Sequence, residues 1–466
     1  MSTSTSSTTS STALIQGTSY TSGAGIDVTS TVDAIIASKQ APETAWKNDQ
    51  TTITNQESAL KTLQTEILSI ESAFQSLNDF SGVFSCVTAT SSDSSVVNVT
   101  ATSTAATGTH NITVTNLATT GVSYANALTS ADSTFTAGNL VFMLGSGAQQ
   151  TITIPADSTT STTTTLANAA AYINKQGLGI AASVITDSTG SRLALTSSAS
   201  GAAASVSVQS APDGLSFTNV AGKDANLTVD GVPITSSTNK VTSAITGVTL
   251  NLTGVPASPI TIDVGPDTDK ITAAVNSFVT AYNAAITDLN GQFQGTTSTS
   301  TSSGYGVLET DSAARQTQSQ LLSSISVVTS GNASFKTLGS LGISMGNDGT
   351  LSIDSTKLAS ALDNNYSDVK SFFQSTDSAS FAQKFSSLMS EMTDSTRSPI
   401  VLDLKCLKSN YEADQENIDD LEANLATLRT TLISKYSTLD ALLKTLPTTL
   451  DQVETELGFK NTKTSS

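Results

Sequence analysis

The stretch "ITNQESALKTLQTEILSIESAFQSLNDF", residues 53–80, contains apolar residues spaced alternately by three and four positions. This spacing is typical of a coiled coil, and it continues backwards to a tryptophan seven positions earlier. A stripe this narrow must be covered by another helix. We call it the N-terminal seam, and its residues are Trp46, Ile53, Leu60, Leu63, Ile67, Ile70, Phe74 and Leu77.

A second stripe with the same spacing lies near the other end of the chain. Two consecutive steps of four interrupt it between Leu428 and Tyr436, which locally relaxes a supercoil. The simplest way to bury both stripes is an antiparallel pairing of the two terminal helices, with a kink or restart at Pro447. We call this stripe the C-terminal seam, and its residues are Ile418, Leu421, Leu425, Leu428, Leu432, Leu439, Leu443 and Leu446.

Between the two seams the apolar period changes from 3.5 to 2. Short segments such as "HNITVTNLA", "QTITIPA" and "ITIDV" predict about eight strands. The pair Asp230-Gly231 between two β-rich runs predicts a hairpin. Residues 81–267 are therefore expected to form a β-rich head of two sandwich or meander subdomains, the second inserted near 120–218.

The predicted fold class is multidomain α+β, with an antiparallel terminal coiled-coil leg. Residues 1–24 are rich in Ser and Thr and are expected to be disordered. An N-terminal helical leg follows over 25–80, then the head. A mostly helical domain with a hairpin at Asp348-Gly349 is expected over 268–402, and a C-terminal coiled-coil leg over 403–466.

Composition excludes several classes of function. The formal net charge of −18 repels phosphate backbones, so nucleic acid is not expected as a partner. The chain has one histidine and two cysteines with no zinc-binding spacing, and we predict no metal, no cofactor and no catalytic residues. The sequence has no long run of apolar residues, so we do not expect it to insert into a membrane. The first twenty residues lack the basic and apolar regions of a cleavable secretory signal.

Two features have a functional and a plain interpretation. "GNDGTLSID", residues 346–354, could supply oxygen ligands to calcium, but apolar residues alternate on both sides and favour a hairpin turn. His110 alternates with Ile112 and Val114 on a predicted strand, which favours a structural role.

Several segments resemble the flagellar hook-associated protein 2 family, the filament cap. "GIDVTSTVDAIIASKQAPETAW" (25–46) is similar to its N-terminal signature, and "GTHNITVTNLATT" (108–120) to a strand motif in which an aromatic residue is usual where this chain has His110. Three further blocks resemble the family in order, "DANLTVDGVPITSSTNKVTSAITGVTLNLTG" (224–254), "VNSFVTAYNAAI" (275–286) and "LGISMGNDGTLSIDSTKLASALDNNYSDVKSFF" (341–373).

The resemblance implies a non-enzymatic structural protein, exported unfolded by the flagellar type III route and secreted to the distal tip of the bacterial flagellum. It implies a homo-oligomeric ring, a pentamer within a range of four to six, that promotes the folding and insertion of flagellin. Other implied partners are the hook–filament junction proteins and a cytoplasmic export chaperone, which would bind the C-terminal region.

Two hypotheses go further. The first is that the terminal helices pair weakly, because polar Asp49 and Gln56 interrupt the N-terminal seam, so that neighbouring flagellin can order the leg. The alternative function is a surface adhesin that binds mucin or glycans through the β-rich head.

The antiparallel alignment also makes a prediction about the cysteines. If the N-terminal helix ends near Phe80 and the C-terminal helix starts near Leu404, Cys86 and Cys406 lie at one level of the molecule. A disulfide is then possible if their Cα atoms lie within about 7 Å.

Overall fold

The computed structural model describes residues 26–293, 306–329, 332 and 334–457. The predicted multidomain α+β class is confirmed. The N-terminal segment 1–24, for which we expected disorder, lies outside the described residues.

The N-terminal region forms two consecutive helices, α1 (Val28–Lys39) and α2 (Ala41–Asn78). The carboxylate of Asp27 caps α1 by accepting a hydrogen bond from the backbone N–H of Ser30 at 3.1 Å. Pro42 lies in the first turn of α2, where its missing N–H costs nothing. At 1.5 Å per residue, α2 is about 57 Å long.

The head contains more strands than the sequence predicts, and it has one helix, α3 (Leu166–Lys175). The additional strands are mostly short or rich in Ala, Ser and Thr, so they lack a clear apolar alternation. The strands are β1 (Val87–Ser91), β2 (Val97–Ala101), β3 (Gly108–Asn116), β4 (Thr120–Ala125), β5 (Thr134–Thr136), β6 (Gly138–Leu144), β7 (Gln150–Ile154), β8 (Thr163–Thr165), β9 (Ile180–Asp187), β10 (Gly190–Ser200), β11 (Val206–Ser210), β12 (Phe217–Val220), β13 (Ala225–Val229), β14 (Val232–Ser236), β15 (Lys240–Ile245), β16 (Val248–Leu252) and β17 (Ile260–Pro266).

These strands belong to two groups of sheets. A five-stranded sheet, ordered β1-β17-β3-β13-β14, and a three-stranded sheet, β15-β16-β2, enclose one apolar core. Sheets β12-β4-β10-β9, β11-β6-β7 and β5-β8, together with α3, enclose another. The chain leaves the first group after β3 and returns to it at β13, so the second group is an insertion in the first.

The turn between β13 and β14 has the conformation that its sequence demands. Asp230 has φ +48° and Gly231 φ +82°, as a two-residue hairpin loop requires. The carboxylate of Asp230 accepts a hydrogen bond from the backbone N–H of Asn111 at 2.8 Å, and its other oxygen lies 2.8 Å from His110 Nδ1. His110 therefore pairs with the turn of a neighbouring hairpin.

The region after the head is helical, with one hairpin. It consists of α4 (Thr268–Phe293), α5 (Ser312–Ile325), β18 (Ile343–Met345), β19 (Leu351–Ile353), α6 (Ser355–Asn364), α7 (Tyr366–Gln374) and α8 (Phe381–Thr393). Its apolar core also includes the second half of α2. We call this unit, α4 to α8 with residues 60–78 of α2, the helical body. The domain boundaries drawn from the sequence stay predictions.

The last helix, α9 (Pro399–Glu456), runs for 58 residues without a break. The hydroxyl of Ser398 caps it by accepting a hydrogen bond from Val401 N at 3.3 Å. The predicted restart at Pro447 is wrong, because the helix continues through this residue, and the predicted kink stays a prediction. The carbonyl that this proline leaves unpaired is on an exposed stretch of helix, where water can satisfy it. Within the described ranges, no helix is long and apolar enough to cross a membrane.

Candidate functional site

The two ends of the described chain lie side by side, as antiparallel helices. The backbone N–H of Ile26 donates to Asp440 Oδ1 at 2.8 Å, and Arg429 forms an ion pair with Asp33 at 2.7 Å. Numbers rise along α1 while they fall along α9, so the direction of the contact is antiparallel. We call α1, residues 41–59 of α2, and α9 the terminal helix pair.

A buried glutamine lies between the helices of this pair. Gln50 is only 9% exposed, and its Nε2 donates to Gln415 Oε1 at 3.1 Å and to the carbonyl of Tyr411 at 3.4 Å. Sequence reasoning missed Gln50 and selected its neighbour Asp49 and Gln56. The side chain of Gln56 contacts the carbonyl of Val307 at 3.3 Å. Gln50 points about 100° away from Asp49 around α2. The spacing of the seam does not show that this neighbouring side of the helix is the one that faces α9.

The N-terminal seam divides between two environments. Trp46 and Ile53 are half-buried on the part of α2 that runs beside α9. The later seam residues lie in the core of the helical body, where the ring centroid of Phe74 is 4.6 Å from that of Phe385 in α8 and 5.8 Å from that of Phe278 in α4. These buried residues are Leu60, Leu63, Ile67, Ile70, Phe74 and Leu77.

The expectation that α9 covers the whole N-terminal seam is therefore wrong. Gln50 pairs with a residue sixteen positions into α9, so the first turn of α9 lies beside the middle of α2. The rest of α2 has no α9 beside it and packs against α4 and α8 instead. A three-four spacing suits both environments, because it describes only how narrow the apolar stripe is.

The C-terminal seam becomes progressively exposed along α9. Ile418 and Leu425 are buried, and Leu421, Leu428 and Leu432 are half-buried. The last three seam residues are exposed: Leu439 by 42%, Leu443 by 37% and Leu446 by 48%. Other apolar residues of this stretch are also exposed, and they are Leu442, Leu450 and Val453 on α9 and Leu457 directly after it.

The exposed apolar residues of α9 begin near Asp440, at the level of Ile26. Asp440 contacts Ile26, the first described residue, and nothing in the described ranges covers the apolar residues of α9 beyond this level. A hydrogen bond from Lys444, followed by the one from Ile26, holds the pKa of Asp440 below its usual range. We call residues 439–457, which are the end of α9 and its C-cap Leu457, the exposed leucine segment.

The predicted proximity of the two cysteines is wrong. Both are free thiols. Cys406 lies five residues before Tyr411, which contacts Gln50, so it is beside the first half of α2, whereas Cys86 follows the end of that helix. Their levels differ by about 30 Å along α2. The reason is again that α9 begins beside the middle of α2.

The possible calcium loop is a turn stabilised by its own side chains. Asp348 Oδ1 accepts hydrogen bonds from the backbone N–H of Thr350 at 3.1 Å and from its hydroxyl at 2.7 Å, between the paired strands β18 and β19. Across the described parts of the chain, no three His, Cys, Asp or Glu side chains are grouped as metal ligands are.

The described residues form a long, partly exposed helix beside a second helix, together with packed β and helical domains, and comparison with known proteins identifies the family. Family models match residues 24–121 (flagellar hook-associated protein 2 N-terminus), 222–448 (flagellar hook-associated protein 2 C-terminus) and 146–199 (flagellin hook IN motif). The chain belongs to the flagellar hook-associated protein 2 family, whose members are structural flagellar cap proteins.

The chain is also similar to individual proteins. The chain is 29% identical over 428 residues to the B-type flagellar hook-associated protein 2 of Pseudomonas aeruginosa, covering 84% of this chain and 87% of the relative. It is 26% identical to the flagellar cap protein FliD D1-D2-D3 domains of Escherichia coli, covering 75% of this chain and 99% of that one, with a TM-score of 0.49. For FliD (HAP2) of Pseudomonas aeruginosa PAO1 the identity is 26%, the coverage 44% and 99%, and the TM-score 0.35.

Proposed function

We propose that this protein is secreted through the flagellar export route and caps the distal tip of the filament, where it promotes the folding and insertion of flagellin. In this proposal the terminal helix pair is the leg that reaches toward the filament, and the head and helical body form the plate. The single observation that supports it most is the exposed leucine segment of α9.

The exposed leucine segment has the properties of a surface that another helix covers. Leu442, Leu446, Leu450 and Leu457 are each about half exposed or more. An amphipathic helix that leaves such a stripe in water gains free energy when a second apolar surface covers it. Flagellin helices at the filament end are the covering surface that the cap role provides.

The terminal helix pair is polar enough to separate. Gln50 interrupts its apolar interface, and its exposed ion pair Asp33–Arg429 contributes little to stability. We infer that contact with filament subunits can order this leg and release it again as the filament grows.

The test uses cells of a flagellated bacterium whose own cap gene has been deleted and replaced by the gene for this protein. Replacing Leu442, Leu446 and Leu450 by Ser should shorten the filaments and increase the amount of unassembled flagellin in the medium several-fold. The matched control replaces Thr438, Thr445 and Thr449 by Ser on the same helix and should leave filament length unchanged. Normal filaments with the leucine variant would refute the role of this segment as the leg.

Ring formation is a separate part of the proposal. We expect a closed ring, because head-to-tail contacts close when the rotation allows, and the family resemblance implies four to six protomers with a pentamer as the expected state. Sedimentation of the full chain at increasing concentration measures the stoichiometry, and electron microscopy shows whether the particles are closed rings. A protein that stays monomeric at tens of micromolar contradicts the ring.

The partners follow the same proposal. An export chaperone would bind the C-terminal region before secretion, and hook–filament junction proteins would receive the cap before the first flagellin. Pull-down with residues 399–466 against the full chain distinguishes a chaperone that binds this segment from one that binds elsewhere.

Adhesion to mucin or glycans through the head stays an untested alternative, which a glycan array with residues 82–267 addresses.

A further inference from the structure

Strand β9 (Ile180–Asp187) lies at an edge of the inserted group of sheets. Within the described residues it is hydrogen-bonded to β10 and to no other strand. Backbone groups alternate between the two sides of a strand, so every second residue of β9 has its N–H and C=O directed away from β10. An edge of this kind can pair with a strand of another chain.

The hydrogen bonds of β10 show which residues of β9 face outward. Ser191 exchanges two backbone hydrogen bonds, of 2.7 and 2.8 Å, with the chain that follows β4, on the side of β10 away from β9. The next residue, Arg192, is opposite Ile185 and has its backbone groups on the β9 side. Ile185 therefore bonds to β10, whereas its neighbours Val184 and Thr186 have their backbone groups on the open side.

One outward-facing residue of β9 is already bonded within the chain. Asn174, near the end of α3, donates from Nδ2 to the carbonyl of Ala182 at 2.8 Å, and its Oδ1 accepts the backbone N–H of the same residue at 2.7 Å. In the described part of the chain, nothing does the same for Val184 and Thr186. Between Ala182 and the turn after Asp187, the open edge therefore consists of these two residues.

Other edge strands of the head are protected from pairing with another chain. Strand β14 contains Pro233, which has no N–H to donate, and β15 begins with the charged Lys240. Asn219 of β12 accepts the N–H of Val208 in β11 at 3.0 Å and donates to its carbonyl at 3.3 Å, which bridges that edge within the chain. Strand β9 has no proline, lysine or arginine, and the side chain of Ile185 is 51% exposed.

We propose that β9 pairs with β9 of a second copy of this chain, antiparallel about a twofold axis at Ile185. In this register Val184 lies opposite Thr186 of the second copy, and the reverse, so that each of these pairs exchanges both of its backbone hydrogen bonds. The four-stranded sheet of one copy then continues into that of the other.

The two neighbouring registers use the open edge less well. Moving the second copy one way places its Thr186 opposite Ala182, whose backbone groups are already bonded to Asn174. Moving it the other way places Val184 opposite Ser188, which lies in the turn after β9. Only the register centred on Ile185 pairs both free residues of each copy.

The side chains on the exposed face of β9 suit this pairing. Ile185 lies opposite its own copy, where both side chains are removed from water. Ser183 lies opposite Asp187 of the second copy, so its hydroxyl can donate to that carboxylate. Asp187 is also paired with Arg192 at 2.9 Å. The two copies of Asp187 are about 13 Å apart along the strands, which is beyond the screening length at physiological salt.

The symmetry of this contact separates it from the proposed ring. A contact about a twofold axis joins copies in pairs, whereas a ring of more than two protomers closes through head-to-tail contacts. Both tests of the β9 contact use the purified full chain without filaments or flagellin, so their results are independent of the proposed function.

Cysteine cross-linking tests the register. In a background with Cys86→Ser and Cys406→Ser, Ile185→Cys places two thiols at opposite, non-hydrogen-bonded positions, whose Cα atoms lie about 4.5 Å apart and suit a disulfide. We expect mild oxidation to form the disulfide-linked dimer roughly fivefold faster, or more, than with the matched control Ser183→Cys. Ser183 is exposed on the same face of β9 but lies about 13 Å from its own copy along the strands. Equal rates, or no dimer from Ile185→Cys, overturn the proposal.

Residue-resolved hydrogen exchange of the wild-type chain tests the backbone pairing without any substitution. We expect protection of the Val184 and Thr186 N–H groups to rise about threefold or more between about 1 µM and about 100 µM protein, by mass action. The N–H groups of Ser183 and Ile185 bond to β10 at every concentration and should not change. Unchanged protection of Val184 and Thr186 overturns the pairing. Protection without the Ile185→Cys cross-link means that another surface covers β9, and it overturns the twofold contact.

Discussion

Asp230 shows how one side chain stabilises a turn and links two strands. It occupies the left-handed region at φ +48°, which costs most residues about 1 kcal/mol or more, while Asp and Asn tolerate it better. Its carboxylate also accepts the hydrogen bond of Asn111 N and lies beside His110. We expect Asp230→Ala to lower the melting temperature of the head by about 2–4 °C, measured by circular dichroism. Asp230→Asn retains the backbone preference and an acceptor, and should lose less; equal losses for both variants would contradict this explanation.

The same residue predicts a pH dependence. The hydrogen bond from Asn111, followed by that from His110, holds the pKa of Asp230 below its usual range. A carboxylate with a lowered pKa stabilises the folded state above its ordinary pKa and loses that contribution as the pH falls through the lowered value. We therefore expect the difference in melting temperature between wild type and Asp230→Asn to shrink below about pH 4. A difference that persists at pH 2.5 would show that charge is not the cause.

At the scale of elements, α2 has one apolar pattern but packs in two different environments. Its later half is part of the helical body, and its earlier half belongs to the terminal helix pair. Leu63→Ala should lower the free energy of unfolding of the body by about 2–5 kcal/mol, because it leaves a cavity in a packed core. Leu446→Ala, at a seam residue that is 48% exposed, should change it by less than about 0.5 kcal/mol. Urea titration followed by hydrogen exchange of segment 60–70 measures both, and similar losses would disprove the division of the seam.

The Gln50–Gln415 contact makes a prediction for the terminal helix pair. Gln50→Leu removes the hydrogen bonds from its buried amide to Gln415 Oε1 and to the carbonyl of Tyr411, and should destabilise the pair by about 1 kcal/mol. The double variant Gln50→Leu with Gln415→Leu removes both polar groups and should recover that loss. Fluorescence of Trp46, the single tryptophan of the chain and a neighbour of Gln50 on α2, reports the unfolding of this pair. If the double variant lost as much as the sum of the single ones, the contact would not be a coupled pair.

At the scale of the whole molecule, the head begins and ends at one place. Val87 of β1 pairs with Pro266 of β17, and Asp267 N donates to the carbonyl of Cys86 at 3.1 Å. A unit closed in this way should fold without the rest of the chain. We predict that residues 82–267 alone give a cooperative thermal transition with the circular dichroism of a β protein. A fragment without a cooperative transition would show that the helical body is required.

The sequence predicted those features that depend on local pattern: the Asp230-Gly231 hairpin, the Asp348-Gly349 hairpin, and the apolar stripes near both ends. It did not predict which partner covers Leu60 to Leu77, because a three-four spacing is equally compatible with a coiled coil and with a helical bundle. Of the strands that it missed, β12 exposes three side chains in a row, whereas β9 alternates in burial but does so partly with small residues such as Ala and Ser.

The insertion of one group of sheets into the other affects which parts of the head can change in sequence and length. The inserted group of sheets is joined to its host at Thr119 and Lys223, which are bridged to each other, just as the host is closed at Val87 and Pro266. Because the inserted group of sheets is joined to its host at one place, it can change in length without altering the strand register of the host sheets. A change of length in the inserted sheets is therefore easier to accommodate than one in the helical body, where α2 packs against several helices at once.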